Sequence, residues 1–155
     1  MANQHFYKTN ITWTGNRGEG TSGYKNYDRS HSISVPGKPH IEASSDPAFR
    51  GDAEKYNPEE LFLASLSSCH MLWYLHLCSD NGIIVLEYID SAIGTMEENT
   101  QGGKFTEVTL FPAVKVADAS MVEKAITLHG DAHKNCFIAN SCNFPVRQQP
   151  SIGIM

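Results

Sequence analysis

Runs of basic residues are missing from this 155-residue chain, and so is any surplus of positive charge: 12 Lys and Arg stand against 17 Asp and Glu, a formal charge of −5 with neutral histidine. A nucleic-acid partner calls for a basic stripe, so that class is set aside. The opening residues, Met1 to Phe6, lack the charged and then apolar regions of a secretory leader, and the cytoplasm is the expected compartment. Charged residues are only 19% of the chain, yet 41% are hydrophobic, which excludes disorder as the default. A chain of this length can bury roughly 70% of its unfolded surface, and one domain over residues 1–155 is expected. The longest stretch without Asp, Glu, Lys or Arg, Leu61 to Ser79, approaches the length of a membrane span. Ser65, Ser67, Ser68, His70, Tyr74 and His76 interrupt it, so it reads as a buried helix, with no membrane partner. Paired C-x-x-C spacing is also absent from the four cysteines, Cys69, Cys78, Cys136 and Cys142. That excludes a zinc knuckle, and a reducing compartment argues against a disulfide framework.

What is present is an α+β pattern. Tyr7, Ile11 and Trp13 alternate with Lys8, Asn10 and Thr12 as in a half-buried strand, and glycines at 15, 18, 20 and 23 punctuate a turn. Those glycines precede another extended segment rather than a helix, which is the wrong context for a phosphate cradle. Strands are expected at His31–Val35 and Ile41–Ala43, followed by a polar loop to Tyr56. Asn57-Pro58-Glu59-Glu60 is a helix start: Asn57 can cap, Pro58 suits the first turn, and Glu60 stands at the capping-box position. The helix should run to about Asp80, and its nearly all-round apolarity can be buried only if it is central or packs against a second subunit, so a dimer is expected. Ile83–Met96 and Phe105–Val116 read as a hairpin about Gly102-Gly103, with Pro112 marking a bulge or an edge. Asp118 should cap a second helix with a buried stripe of Val122, Ala125, Ile126, His129, His133 and Cys136, and a terminal strand follows.

Cysteine and histidine carry the candidate chemistry. Cys69 and Cys78 are nine residues apart on one helix, hence on opposite faces and about 13 Å apart, too far for a disulfide. A partner for Cys69 must come from elsewhere in the chain, and Cys136 is the candidate that a helix-to-helix contact would supply. Cys78 reads as core. His129, His133 and Cys136, at offsets of four and three, also have metal-ligand spacing, and a metal-binding module is one alternative reading. A non-catalytic dimeric ligand-binding protein, with its cysteines in packing roles, is another. His70 and His76 point in different directions and cannot share an ion.

Asn57-Pro58-Glu59-Glu60-Leu61-Phe62 followed by Ser68-Cys69-His70 resembles the OsmC/Ohr family of osmotically inducible and organic hydroperoxide resistance proteins. Glu59 precedes Cys69 by ten residues, Cys136 follows it by sixty-seven, and nineteen residues remain after Cys136. Trp13-Thr14-Gly15 and Phe49-Arg50-Gly51 extend the likeness over nearly the whole chain. The resemblance implies antiparallel sheets packed around a long central helix in an intertwined homodimer. It also implies a thiol-dependent peroxidase without a cofactor or metal, acting on organic hydroperoxides and reset by a dithiol such as a lipoyl group. In that reading Cys69 is the attacking cysteine, Cys136 the resolving one, Glu59 the carboxylate and Arg50 the activating arginine. Arg17 and Arg29 are alternatives to Arg50. The family's Cys-Pro is replaced by Cys136-Phe137, and Cys142 is a further thiol that could resolve in place of Cys136. Apolar Phe62, Met71, Leu72 and Trp73 around Cys69 suit an organic rather than an inorganic peroxide.

Overall fold

Asn57 and Glu60 close a reciprocal cap at the start of the long helix: the Glu60 amide donates to Asn57 Oδ1 at 2.8 Å, and the Asn57 amide donates to Glu60 Oε2 at 3.1 Å. This is the box expected from the sequence, and it satisfies two of the amides that a helix start leaves free. The helix, α1 (Pro58–Asp80), then runs unbroken for 23 residues, and the turn that follows it holds Gly82, whose φ of 70° suits glycine. The computed structural model describes residues 3–155, which fall into two compact units, one through Leu61 and one from Phe62 to Met155.

In the first unit, β1 (Asn10–Trp13), β2 (His31–Ser34) and β3 (Ile41–Ala43) form an antiparallel sheet in that order. All four residues of β1 are exposed, so the alternation seen in the sequence does not mark a half-buried strand here. The polar loop contains a 3-10 turn, Pro47–Phe49, capped by the Asp46 side chain and closed by Arg50 at φ 66°. Gly51 follows because a Cβ there would lie 1.5 Å from the Ser45 carbonyl oxygen.

The second unit carries two three-stranded sheets. The expected hairpin forms, but each arm breaks in two: β4 (Val85–Asp90) and β5 (Ile93–Asn99) on one side, β6 (Gly102–Leu110) and β7 (Pro112–Val116) on the other. β5 pairs with β6, and β4 with β7, so the arms diverge into different sheets. Asp90 stitches the break, accepting the Phe111 amide at 2.7 Å, while Ser67 of α1 donates to its other oxygen at 2.5 Å. Pro112 sits neither at a bulge nor on an edge. It is the first residue of β7, the middle strand of β4-β7-β9, a position where the missing amide is tolerated. The terminal strand is two short ones, β8 (Val146–Gln148) and β9 (Ser151–Ile154), parallel to β6 and β7 respectively.

The second helix, α2 (Val122–Asn135), follows a 3-10 turn capped by Asp118. Its buried stripe is Ala125, Leu128, His129 and Ala132, whereas Ile126 is 48% exposed and the helix stops before Cys136. The expected stripe was thus displaced by one position toward Leu128 and Ala132. These residues pack with Tyr74, Cys78, Val114 and Val116, and a second cluster joins Leu66, Val108 and Leu110 to Phe62, Phe105 and Phe144. Although α1 is long and apolar enough to cross a membrane by length and composition, one stripe of it lies in this core: Leu66, His70, Tyr74 and Cys78, spaced by four. The chain alone covers only that stripe of the helix and leaves Leu72 62% exposed.

Candidate active site

Cys69 lies on α1 one position before the buried stripe, and its neighbour in space is Cys136. Helical spacing places Phe62, Ser65 and Trp73 on the same side of α1 as Cys69. That side meets the chain that follows α2. Trp73 packs edge-to-face on Phe137 at 5.4 Å, and Phe62 and Ser65 share a cavity of about 520 Å³ with Ile138, Ser141, Cys142, Asn143 and Phe144. Phe62 and Trp73 thus share the Cys69 side of α1, while Leu72 is 62% exposed.

The two thiols differ in environment. Cys69 is part-exposed, whereas Cys136 is 1% exposed. Cys136 has extended backbone (φ −68°, ψ 107°) beyond the last helical residue, and its sulfur accepts the Ala139 amide at 3.5 Å. Burial, and then the adjoining Cys69 side chain, push the Cys136 thiol up to about 11, against the opposing pull of the Ala139 and Ile138 amides. Cys78 is buried as core, and Cys142 is part-exposed with its Sγ donating to the Ile138 carbonyl at 3.2 Å. Cys142 closes a 3-10 turn, Ala139–Ser141, and does not lie in the terminal strand.

The expected metal constellation does not assemble. Cys136 has left the helix, and His129 is engaged elsewhere: its Nδ1 lies 3.0 Å from His70 Nε2. Among the described residues no group of three or more His, Cys, Asp or Glu could hold an ion. The His70–His129 pair itself was missed in the sequence, since its members are 59 positions apart. Both rings are fully buried, and Tyr74 stacks on His129 at 3.8 Å. Burial drives His70 down to about 4 and His129 to about 3, so both are neutral at pH 7. His76 instead faces Asp80 at 3.4 Å on the surface.

The arginines and Glu59 belong to the first unit. Arg17 forms a two-point ion pair with Asp28, which holds the Asp28 carboxyl below its usual range. Arg29 donates to the Tyr24 and Tyr27 carbonyls and lies over both rings, 4.3 and 4.2 Å from their centroids. Arg50 makes no side-chain hydrogen bond or ion pair among the described residues, and it lines a polar cavity with Asp28, Arg29, Ser44 and Asp52. Glu59 has one carboxylate oxygen buried without a partner among the described residues. Arg50 and Glu59 are not joined by a hydrogen bond or an ion pair in the described chain. Along α1, Glu59 and Cys69 are separated by about 15 Å.

This mixed fold and cysteine-bearing helix place the chain in a known group. The OsmC-like protein family model matches residues 51–149, and the chain belongs to that family. An OsmC-like protein of unknown function from Vibrio cholerae O1 biovar eltor str. N16961 is 30% identical, with a TM-score of 0.85 over 96% of this chain and 100% of that one. The organic hydroperoxide resistance protein of Elizabethkingia anophelis shares the fold at 19% identity and a TM-score of 0.69, covering 99% and 100% of the two chains. OhrB of Bacillus subtilis, an organic hydroperoxide resistance protein, does so at 21% and 0.64, over 94% and 98%. A comparison with curated proteins gave no match.

Proposed function

We propose that this protein is a thiol-dependent peroxidase that reduces organic hydroperoxides with two cysteines. The observation that carries this reading is the contact between a part-exposed thiol, Cys69, and a fully buried one, Cys136. A peroxide can reach the first, and the second waits where only the oxidised first can meet it. The Cys69 thiolate attacks the outer peroxide oxygen, the O–O bond breaks, and the alcohol leaves with a proton. Cys136 then displaces water from the sulfenic acid to form the disulfide, and a dithiol reductant restores both thiols. Phe62 and Trp73 favour a substrate with an apolar body.

The Cys69 thiolate needs a cation, because the positive end of α1 fades within its first turn, well before Cys69. Arg50 is the candidate among the three arginines, since Arg17 and Arg29 are already committed to Asp28 and to two tyrosine rings. Glu59, with a buried unpartnered oxygen, is the carboxylate that would fix a guanidinium by two-point bonding. The active form is a homodimer, and the reductant is a dithiol of the lipoyl type.

Peroxide consumption by fully reduced protein tests the roles. Cys69→Ser should abolish it. Cys136→Ser should consume one equivalent and stall as a sulfenic acid that a cyclic 1,3-diketone traps. Arg50→Ala should slow the first attack about tenfold or more, the effect of losing a charge-assisted hydrogen bond. Wild-type protein that leaves an organic hydroperoxide untouched in the presence of dihydrolipoamide would refute the proposal and favour a binding module.

A further inference from the structure

Cys142 is a thiol that the two-cysteine cycle leaves unused, and its placement is specific. The amide of Ala139 donates to Cys136 Sγ, and the carbonyl of Ile138 accepts from Cys142 Sγ. That amide and that carbonyl are the two ends of one peptide group. At 3.5 Å on one side and 3.2 Å on the other, the two sulfurs lie within about 9 Å of each other. What separates them is a single 3-10 turn, Ala139–Ser141, closed by the Ser141 amide on Ile138 and the Cys142 amide on Ala139. A turn of this kind has no cooperative ladder behind it and opens more readily than the helices beside it.

Access separates the thiols further. Cys136 is 1% exposed, so a reductant cannot attack its sulfur in place. Cys142 is part-exposed and lines the cavity of about 520 Å³ that also contains Ser65, one helical turn before Cys69. A disulfide between Cys69 and Cys136 ties α1 to the end of α2, whereas one between Cys136 and Cys142 lies within a single surface segment.

We propose that Cys142 is a third catalytic cysteine, which takes the disulfide over from Cys69. This rests on the two-cysteine reading above. The Cys142 thiolate attacks Cys136 Sγ in the Cys69–Cys136 disulfide, a Cys136–Cys142 bond forms, and Cys69 leaves as thiolate. The proton lost by Cys142 is the one Cys69 regains, so the exchange is isoelectronic and needs no outside oxidant. The exchange brings the two sulfurs into bonding distance across the 3-10 turn, and the geometry a disulfide requires, α-carbons within about 7 Å, is what a rearrangement of that turn would supply. Cys69 is thereby free to meet another peroxide before the dithiol has acted.

The test is a time course of non-reducing peptide maps after one equivalent of an organic hydroperoxide is added to fully reduced protein, followed by dihydrolipoamide. The Cys69–Cys136 link should appear first and give way to Cys136–Cys142, with Cys69 again alkylatable. In Cys142→Ser the link should remain at Cys69–Cys136, and its reduction by dihydrolipoamide should slow at least about tenfold. A wild-type map that holds only Cys69–Cys136 throughout, with Cys142→Ser reduced at the wild-type rate, overturns the relay and leaves the peroxidase standing. Absence of any disulfide with the peroxide unconsumed removes both.

Discussion

Two imidazoles buried 3.0 Å apart share a hydrogen bond from the N–H of one to the ring lone pair of the other, and burial opposes the charge that protonating either ring would add, against the weaker pull of Asp90 on His70. His70 and His129 satisfy each other through one nitrogen apiece and leave His70 Nδ1 and His129 Nε2 without partners among the described residues. Unfolding releases both to an ordinary value near 6.5. The folded values, about 4 and about 3, lie below it, so the unfolded chain binds more protons as the pH falls. Stability from this pair is present in full above pH 6.5 and is lost as the pH drops through the folded values. For His70 alone the difference amounts to roughly 3 kcal/mol by pH 4. The expected outcome is a denaturation midpoint in urea that is flat from pH 8 to 7 and falls between pH 6.5 and 5, together with His70 and His129 ring resonances that do not titrate in that range. Ring signals titrating near 6.5 in the folded protein would show that the pair is open to water.

At the scale of elements, the capping box on α1 and the break between β4 and β5 show what a sequence can and cannot reveal. Asn57 and Glu60 act within four residues of each other, and the local chemistry that predicts their bonds is the chemistry that forms them. Asn57→Ala should therefore cost about 1 kcal/mol, read as a lower urea midpoint with an unchanged slope. An unaltered midpoint would mean that tertiary packing alone holds the helix start. The hairpin was legible in the same way, through Gly102-Gly103 between the runs Ile83–Met96 and Phe105–Val116. Its division into two sheets was not, because it depends on Asp90 meeting Ser67 and Phe111, at separations of 23 and 21 residues. The candidate site divides along the same line. Cys69, Cys136 and the spacing between them were readable. The pairing of His129 with His70, which undid the metal reading, and the end of α2 before Cys136 were set by helix packing that no local pattern encodes. Leu128 and Ala132 displaced Ile126 from the buried stripe for the same reason, since a helix face is chosen by what it packs against.

For the whole molecule, the decisive features are apolar surface left uncovered and, in Glu59, a buried carboxylate oxygen without a partner among the described residues. Leu72, Ile84, Leu86, Ile89, Ile93 and Phe137 are each half or more exposed, all in the second unit. At about 25 cal/mol per Å² of apolar area, covering them with a second copy is a substantial driving force. A homodimer is the expected state, with twice the 17.1 kDa chain mass in sedimentation, and Leu72→Lys should shift it toward monomer. Glu59 sharpens the prediction. It sits about 15 Å along unbroken α1 from Cys69, so Glu59 cannot serve the Cys69 of its own helix by direct contact. If the subunits exchange these groups, an inactive Glu59→Gln protein and an inactive Cys69→Ser protein should complement each other. Unfolded together and refolded, half the dimers are mixed, and each mixed dimer restores one site that has both groups. Recovery of about one quarter of the wild-type peroxidase rate is expected. No recovery, with mixed dimers shown by native mass, would place Glu59 and Cys69 of the same chain in one site and require α1 to bend in the working enzyme.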